Sequence, residues 1–264
     1  MNFSFFLLLN VFVAGTVVAQ PEKNDAIAKN IVIYGASGNF GSVFVEEGLS
    51  RGHKIVGVSR NPEKLKVQHE KFSAVAGDVT EYDSVLATIT DADVVIVSVR
   101  GVDKSKKPEN TTQVKAAENM IAASRALGDA APRIIQVGGG ATLYVGDVQL
   151  FHKLPLPIRL FIRKGTEGYA IMRGHYFALE SYRQVDDIKW TVATPAPGTS
   201  PRKRGERTGQ FRLGTDNILV EPTGFSPSPS LGRFGKLSVA DLAVAIFNEV
   251  EQAQFINKRF TAAY

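Results

Sequence analysis

A glycine turn, Gly35-Ala-Ser-Gly38-Asn-Phe-Gly41, set between a β-branched run and an amphipathic stretch, leaves this chain few ways to fold. Asn30 to Gly35 (NIVIYG) reads as a short buried strand stopped by glycine. From Phe40 to Arg51, Val43, Val45 and Leu49 recur at helical spacing, and Gly52 supplies a C-cap. In a strand–turn–helix unit of this kind Gly35 permits the tight turn, Gly38 lets the backbone approach a pyrophosphate, and Gly41 lets the helix pack close to the strand. The helix N-terminus then offers N–H groups and a positive dipole end to phosphates. A glycine triplet alone also occurs at turns that bind nothing. The strand before it and the helix after it are the context a dinucleotide site requires. The candidate contacts here are Gly35, Ser37, Gly38, Asn39, Phe40 and Gly41.

The units that follow keep the same grammar. Strands are expected at Lys54–Ser59, Phe72–Ala76, Asp93–Val99, Arg133–Val137 and Lys189–Ala193. Helices are expected after Thr80, which can cap the first of them, over Glu109–Leu127, and from about Thr166 to Arg183. Such βα alternation specifies an α/β fold, a Rossmann-type doubly wound parallel sheet covered by helices on both faces. From Thr194 the pattern changes to proline-, glycine- and serine-rich loops, expected as a small cap over residues 195–235. Order returns with an amphipathic helix over Ser238–Gln252, capped by Ser238, and a last strand at Arg259–Ala263.

The G-x-x-G-x-x-G spacing resembles that of extended and atypical short-chain dehydrogenases/reductases. The stretch GASGNFGSVFVEEGLSRGHKIVGVSRNPEKL resembles their NAD(P)H-binding, NmrA-like branch, in which an arginine ends the second strand. GDVTEYDSV, HYFALESYRQVDDIKWTVATPAP, GERTGQFRLGTDNIL and the closing FTAAY extend the resemblance from Asn30 to the end of the chain. Arg60 stands where an NAD-selective protein carries a ribose-binding carboxylate; a guanidinium there suits a 2′-phosphate, so NADP(H) is expected over NAD(H). The alternative for Arg60 is a solvated surface arginine. Ser59 and Lys64 stand ready to add a hydrogen bond and a charge. The resemblance implies Asp78 and Val79 beside the adenine. Ser98, Arg100 and Gly101 close the fourth strand, where ligands cross the carboxyl edge of an open sheet, and Gly138 opens a glycine run ending the fifth.

The family's Tyr-x-x-x-Lys pair is missing, because Met172 and Tyr176 stand at its two positions, and glycines replace the family's serine. His175 and Tyr176 are the remaining candidate acids, with a helix-packing histidine as the alternative reading of His175. Two functions stay open. One is an NADP(H)-dependent reductase of a small carbonyl, quinone or flavin-like acceptor; the other is a non-catalytic NAD(P)H-binding redox sensor of NmrA-like type. Arg204, Arg207 and Arg212 read either as a lid over the ligand or as a solvated loop.

Composition narrows the remaining classes. With no cysteine in 264 residues, disulfides and thiolate chemistry are excluded. Four dispersed histidines form no metal-spacing motif. A formal net charge of +5, without a basic stripe interleaved with aromatics, argues for a small-molecule substrate and against nucleic acid. Residues 1–19 carry no charge, hold an apolar run from Phe5 to Val13, and end in small residues ahead of Gln20. That layout is expected to be a signal peptide directing export to a secreted, periplasmic or ER-lumenal location, leaving no stable membrane span after processing. An uncleaved anchor is the alternative, although the run is short for a span. Oligomeric state is open at this level.

Overall fold

Apolar residues in the central strands alternate between two separate cores. Ile31, Ile33, Val94, Ile96, Ile135 and Val137 pack on one side, while Val32, Tyr34, Val95, Val97 and Ile134 pack on the other. A strand buried on both faces must belong to the middle of a layered α/β domain. The structure, a computed structural model, describes residues 17–18, 27–219 and 234–264. Its parallel strands are β2 (Asn30–Tyr34), β3 (Lys54–Ser59), β4 (Phe72–Ala76), β5 (Val94–Val97), β6 (Arg133–Val137), β9 (Trp190–Pro195) and the last strand, here β11 (Lys258–Ala263). With the antiparallel β10 (Phe211–Gly214) and a backbone pairing by β1 (Val17–Val18), the sheet runs β1-β10-β11-β9-β6-β5-β2-β3-β4. The expected doubly wound parallel sheet is what forms.

Helices α1 (Gly41–Ser50) and α7 (Val239–Gln252) cover one face. On the other lie α2 (Tyr82–Ile89), α3 (Thr112–Leu127) and α6 (Glu167–Arg183). The chain enters at β2, winds out to β4, and crosses back to β5, so order reverses between β2 and β5. The carboxyl ends of those two strands are where an open α/β sheet leaves a crevice. Ser238 caps α7 as expected, accepting from the Asp241 amide at 2.9 Å, and Thr166 caps α6, accepting from Tyr169 at 3.2 Å.

Three local expectations are corrected. Thr80 does not cap α2: its amide and hydroxyl both donate to Asp78 Oδ1, at 2.9 and 2.8 Å. An Asx-type turn at Asp78 competes for the hydroxyl and wins, so α2 starts at Tyr82. The helix expected from Glu109 is broken. Pro108–Asn110 forms a 3-10 turn, Thr111 is extended (φ −73°, ψ 151°), and α3 begins at Thr112. The third concerns the cap, which is not only loop. Within it β10 pairs with β11, an antiparallel addition that period-two patterning did not reveal in a stretch rich in glycine and arginine.

Part of the cap comes from a segment the sequence left unassigned. A hairpin of β7 (Tyr144–Val145) and β8 (Val148–Gln149) leads into two short helices, α4 (Leu150–Lys153) and α5 (Leu156–Phe161). Leu143, Leu150, Ile218 and Phe234 give this region a small core of its own. Most of the expected leader, and residues 220–233 of the expected cap, lie outside the described residues. Among the described residues no helix is long and apolar enough to cross a membrane.

Candidate functional site

Gly35 leaves β2 at φ +77°, a conformation that glycine alone adopts without strain, and its carbonyl accepts from the Gly38 amide at 2.8 Å. A Cβ on Gly35 would lie 2.2 Å from the Ser98 carbonyl oxygen, and one on Gly41 would lie 2.0 Å from the Gly35 carbonyl oxygen. Side chains are therefore excluded at positions 35 and 41, and α1 starts hard against β2. No side chain caps α1. The Gly38 and Ser42 amides are taken by the Gly35 and Gly38 carbonyls, at 2.8 and 3.0 Å, and the crevice at this helix N-terminus is lined by Gly38, Asn39 and Phe40.

That crevice is a cavity of about 890 Å³ along the carboxyl edge of the sheet. Gly35, Ser37, Gly38, Asn39, Phe40, Ser59, Arg60, Asp78, Val79, Ser98, Arg100, Gly101 and Gly138 all line it, so five separate strand ends converge. Gly41 stands behind the turn as packing, in keeping with the role its spacing suggests. Lys64 lies in an exposed 3-10 turn and is absent from the cavity wall. Arg60 is exposed at the end of β3, and among the described residues it has no carboxylate partner. Asp78 is held by its bonds to Thr80, while its own amide donates to Ser84 Oγ at 2.9 Å.

The opposite end of the cavity is walled by α6. His175 lines it, as do Ile171 and Met172. The imidazole occupies the room a side chain at 139 would need, since a Cβ there would sit 2.9 Å from His175 Cδ2. His175 Nδ1 is buried with no hydrogen-bond partner, and burial, with the charge of Arg100, pushes its pKa down to about 4. This corrects the expectation of a proton donor with an ordinary histidine pKa. At neutral pH the ring is uncharged, able to give or take a hydrogen bond but holding no spare proton. Tyr176, the other candidate acid, is not brought to the cavity: its ring lies under the Arg173 guanidinium, 4.6 Å from Cζ to centroid. Met172, at the family's tyrosine position, faces the cavity instead.

Sequence reasoning missed several groups here. Thr199 lines the cavity with a buried, unpartnered Oγ1, and Tyr34 lines it with a buried hydroxyl beside Thr88, whose pKa burial raises to about 12. Both were masked by local context, one as a loop threonine and the other as part of an apolar strand. Also missed was the polar chain behind the wall. Gln113 accepts from the Gly101 amide at 3.3 Å and donates to the Ile171 carbonyl at 2.9 Å, tying the β5 loop to α6. Gln136 donates to the Gln113 carbonyl at 3.0 Å and accepts from the Tyr182 hydroxyl at 2.9 Å. Glutamines carry no motif, and only tertiary contact reveals them.

The arginines of the cap loop are engaged away from the cavity. Arg207 binds Glu47 through Nε and Nη2 at 2.7 and 2.9 Å, Arg204 pairs with Glu46 at 2.5 Å, and Arg212 donates to the Tyr264 carbonyl at 2.7 Å. None of the three lines the cavity. Carboxylates on α1 capture two of them, a pairing invisible at 160 residues of separation.

A glycine-pinned turn, a helix N-terminus and a crevice at the topological switch point define a nucleotide-binding protein of the Rossmann type. More particularly, the chain belongs to the NAD(P)H-binding family, whose model matches residues 35–249. It is 28% identical over 238 residues to the uncharacterised protein YwnB of Bacillus subtilis, covering 88% of this chain and 96% of that one. Among solved structures, a candidate exported protein from Burkholderia pseudomallei is similar with 28% identity and a TM-score of 0.67, over 89% of this chain and all of that one (100%). A candidate epimerase from Bacteroides thetaiotaomicron matches with 28% identity and a TM-score of 0.72, over 90% and 97% of the two chains.

Proposed function

We propose that this protein is an NADP(H)-dependent reductase of a small, electron-poor acceptor, such as a conjugated carbonyl, a quinone or a flavin-like ring. The observation that carries the cofactor half is Arg60, a cation without a carboxylate partner that faces the cavity beside a glycine turn. The turn from Gly35 to Phe40 would hold the pyrophosphate, Ser59 and Arg60 the 2′-phosphate, and Asp78 and Val79 the adenine. Ser98, Arg100, Gly101 and Gly138 would flank the nicotinamide end. The dinucleotide supplies a hydride when bound; the protein supplies placement and charge.

What the chain's own residues do limits the acceptor. His175 is uncharged at neutral pH, and the tyrosine–lysine pair is missing, so no group on this wall is poised to protonate an alkoxide. Acceptors whose reduction leaves a delocalised, already stable anion avoid that demand. Arg100 stands at the same end and offers charge to such an anion.

The test is a titration with NADPH and NADH, followed by NADPH consumption against quinones, flavins and aldehydes. The expected result is NADPH binding at least about tenfold tighter than NADH, since a bidentate phosphate contact is worth over 1.4 kcal/mol, with turnover on quinones or flavins and none on simple aldehydes. Met172 at the family's tyrosine position favours a second reading, a redox sensor, and tight binding without any turnover would select it. Failure to bind either coenzyme would overturn both.

A further inference from the structure

Of the ten large apolar side chains that lie exposed among the described residues, five fall between Val148 and Phe161. Phe161 is 84% exposed, Leu156 65% and Leu160 58%, all on or beside the six-residue α5. Lys153, Arg159, Arg163 and Lys164 are exposed around them, His152 joins them, and no acidic residue occurs from Val148 to Thr166. Among the described residues none of these four cations has an ion pair. Isolated surface apolar residues need no explanation, but exposed apolar residues concentrated in one short stretch, with only cations among them between the exposed Asp147 and Glu167, mark an interaction site.

We infer that this strap docks on an anionic lipid surface, with Leu156, Leu160 and Phe161 entering the headgroup region and the four cations meeting lipid phosphates. The chemistry matches interfacial binding, in which shallow apolar burial and attraction to anionic lipid act together. A second copy of the chain is a poorer occupant: a two-fold interface would set four cations against four. The strap is also held rather than loose. Leu150 and Leu154 turn inward onto the cap's core, Phe151 packs edge-on against Tyr169 at 5.9 Å, and Ile162 rests against Gly168. Gly168 lines the cavity, so the docked strap adjoins the cavity wall. Taken with the reductase reading, on which this part rests, docking selects acceptors dissolved in the membrane.

The experiment uses the full chain with Phe161→Trp as reporter. Trp190, the single native tryptophan, is 3% exposed and gives a constant background. Vesicles of phosphatidylcholine mixed with phosphatidylglycerol should shift the emission to the blue. Brominated acyl chains should quench it, and added salt should reverse it. Arg159→Glu and Lys164→Glu should each weaken the apparent affinity about fivefold or more, the ratio equivalent to ~1 kcal/mol per cation near the surface. No shift with these vesicles overturns the docking. So does an equal, salt-insensitive shift on phosphatidylcholine alone, since the four cations would then have no part in the binding. A shift that grows with protein concentration in the absence of lipid would assign the patch to a second copy. For the acceptor, a long-chain quinone should be reduced faster in anionic than in neutral vesicles, while a water-soluble quinone shows no difference. Turnover of neither quinone strikes the reductase reading and leaves the fluorescence to judge the docking.

Discussion

At the scale of single residues, Arg60 and His175 carry the most testable consequences. Arg60 is exposed, so replacing it should cost little stability. Arg60→Glu is expected to weaken NADPH binding by at least about tenfold through lost charge-assisted bonds and added repulsion, and to leave NADH binding within about twofold. Calorimetry with the two coenzymes checks this, and equal losses would mean Arg60 does not select the phosphate. His175 governs a pH response. Its folded pKa, about 4, lies below the ordinary value of 6.5, so the unfolded chain binds the proton more readily. Stability attributable to His175 is therefore full above about pH 6.5 and is lost as the pH falls toward 4. Thermal midpoints between pH 7 and 4.5 should fall in the parent and fall less steeply in His175→Asn.

At the scale of elements, the clasp between α1, α7 and the cap loop stands out. Glu47 on α1 accepts from Arg51 Nε at 2.8 Å as well as from Arg207. Arg51 reaches across to Asn248 and Glu251 on α7, both at 2.9 Å. Burial alone would raise the Glu47 pKa, but the hydrogen bonds from Arg207 and Arg51 outweigh it and hold the carboxyl below its usual range. That contribution is present above the ordinary glutamate pKa and disappears as the pH drops through the lowered one. Glu47→Ala removes one acceptor of Arg51, which keeps Asn248 and Glu251, and the partner of the half-exposed Arg207, and should cost about 1–2 kcal/mol in urea unfolding, with NADPH affinity unchanged because none of the three lines the cavity. Reduced coenzyme affinity in proportion to stability would tie the clasp to the site instead. Most elements here were legible as sequence, for a simple reason. Strands such as β5 are apolar on both faces, and Ser238 and Thr166 cap locally. Thr80 and Thr111 were misread because short-range competitors, the Asp78 carboxylate and an extended backbone, decide where those helices start.

At the scale of the whole molecule, a ligand that binds only the folded state must stabilise it. NADPH at a hundred times its dissociation constant should add about 3 kcal/mol and raise the thermal midpoint accordingly; an unchanged midpoint would contradict the proposed cofactor. Processing is a separate whole-chain question. If residues 1–19 act as the expected signal peptide, mass spectrometry of the mature protein should find Gln20 as its first residue, which would remove Val17–Val18 and leave the outer edge of β10 without that partner. Retention of residues 1–19 would instead favour the anchor.

What the linear order of residues determined was the repeating strand–turn–helix pattern, the glycine cradle and the position of Arg60 at a strand end. Each rests on contacts within a few residues or on strict periodicity, so each can be read without coordinates. Only the tertiary structure decided the depressed pKa of His175, the Glu47–Arg207 clasp, the buried hydroxyls of Tyr34 and Thr199, and the basic apolar strap beside the cavity. Those depend on which groups the fold brings together or shuts away from water, a property of the packed chain that no local run of sequence encodes.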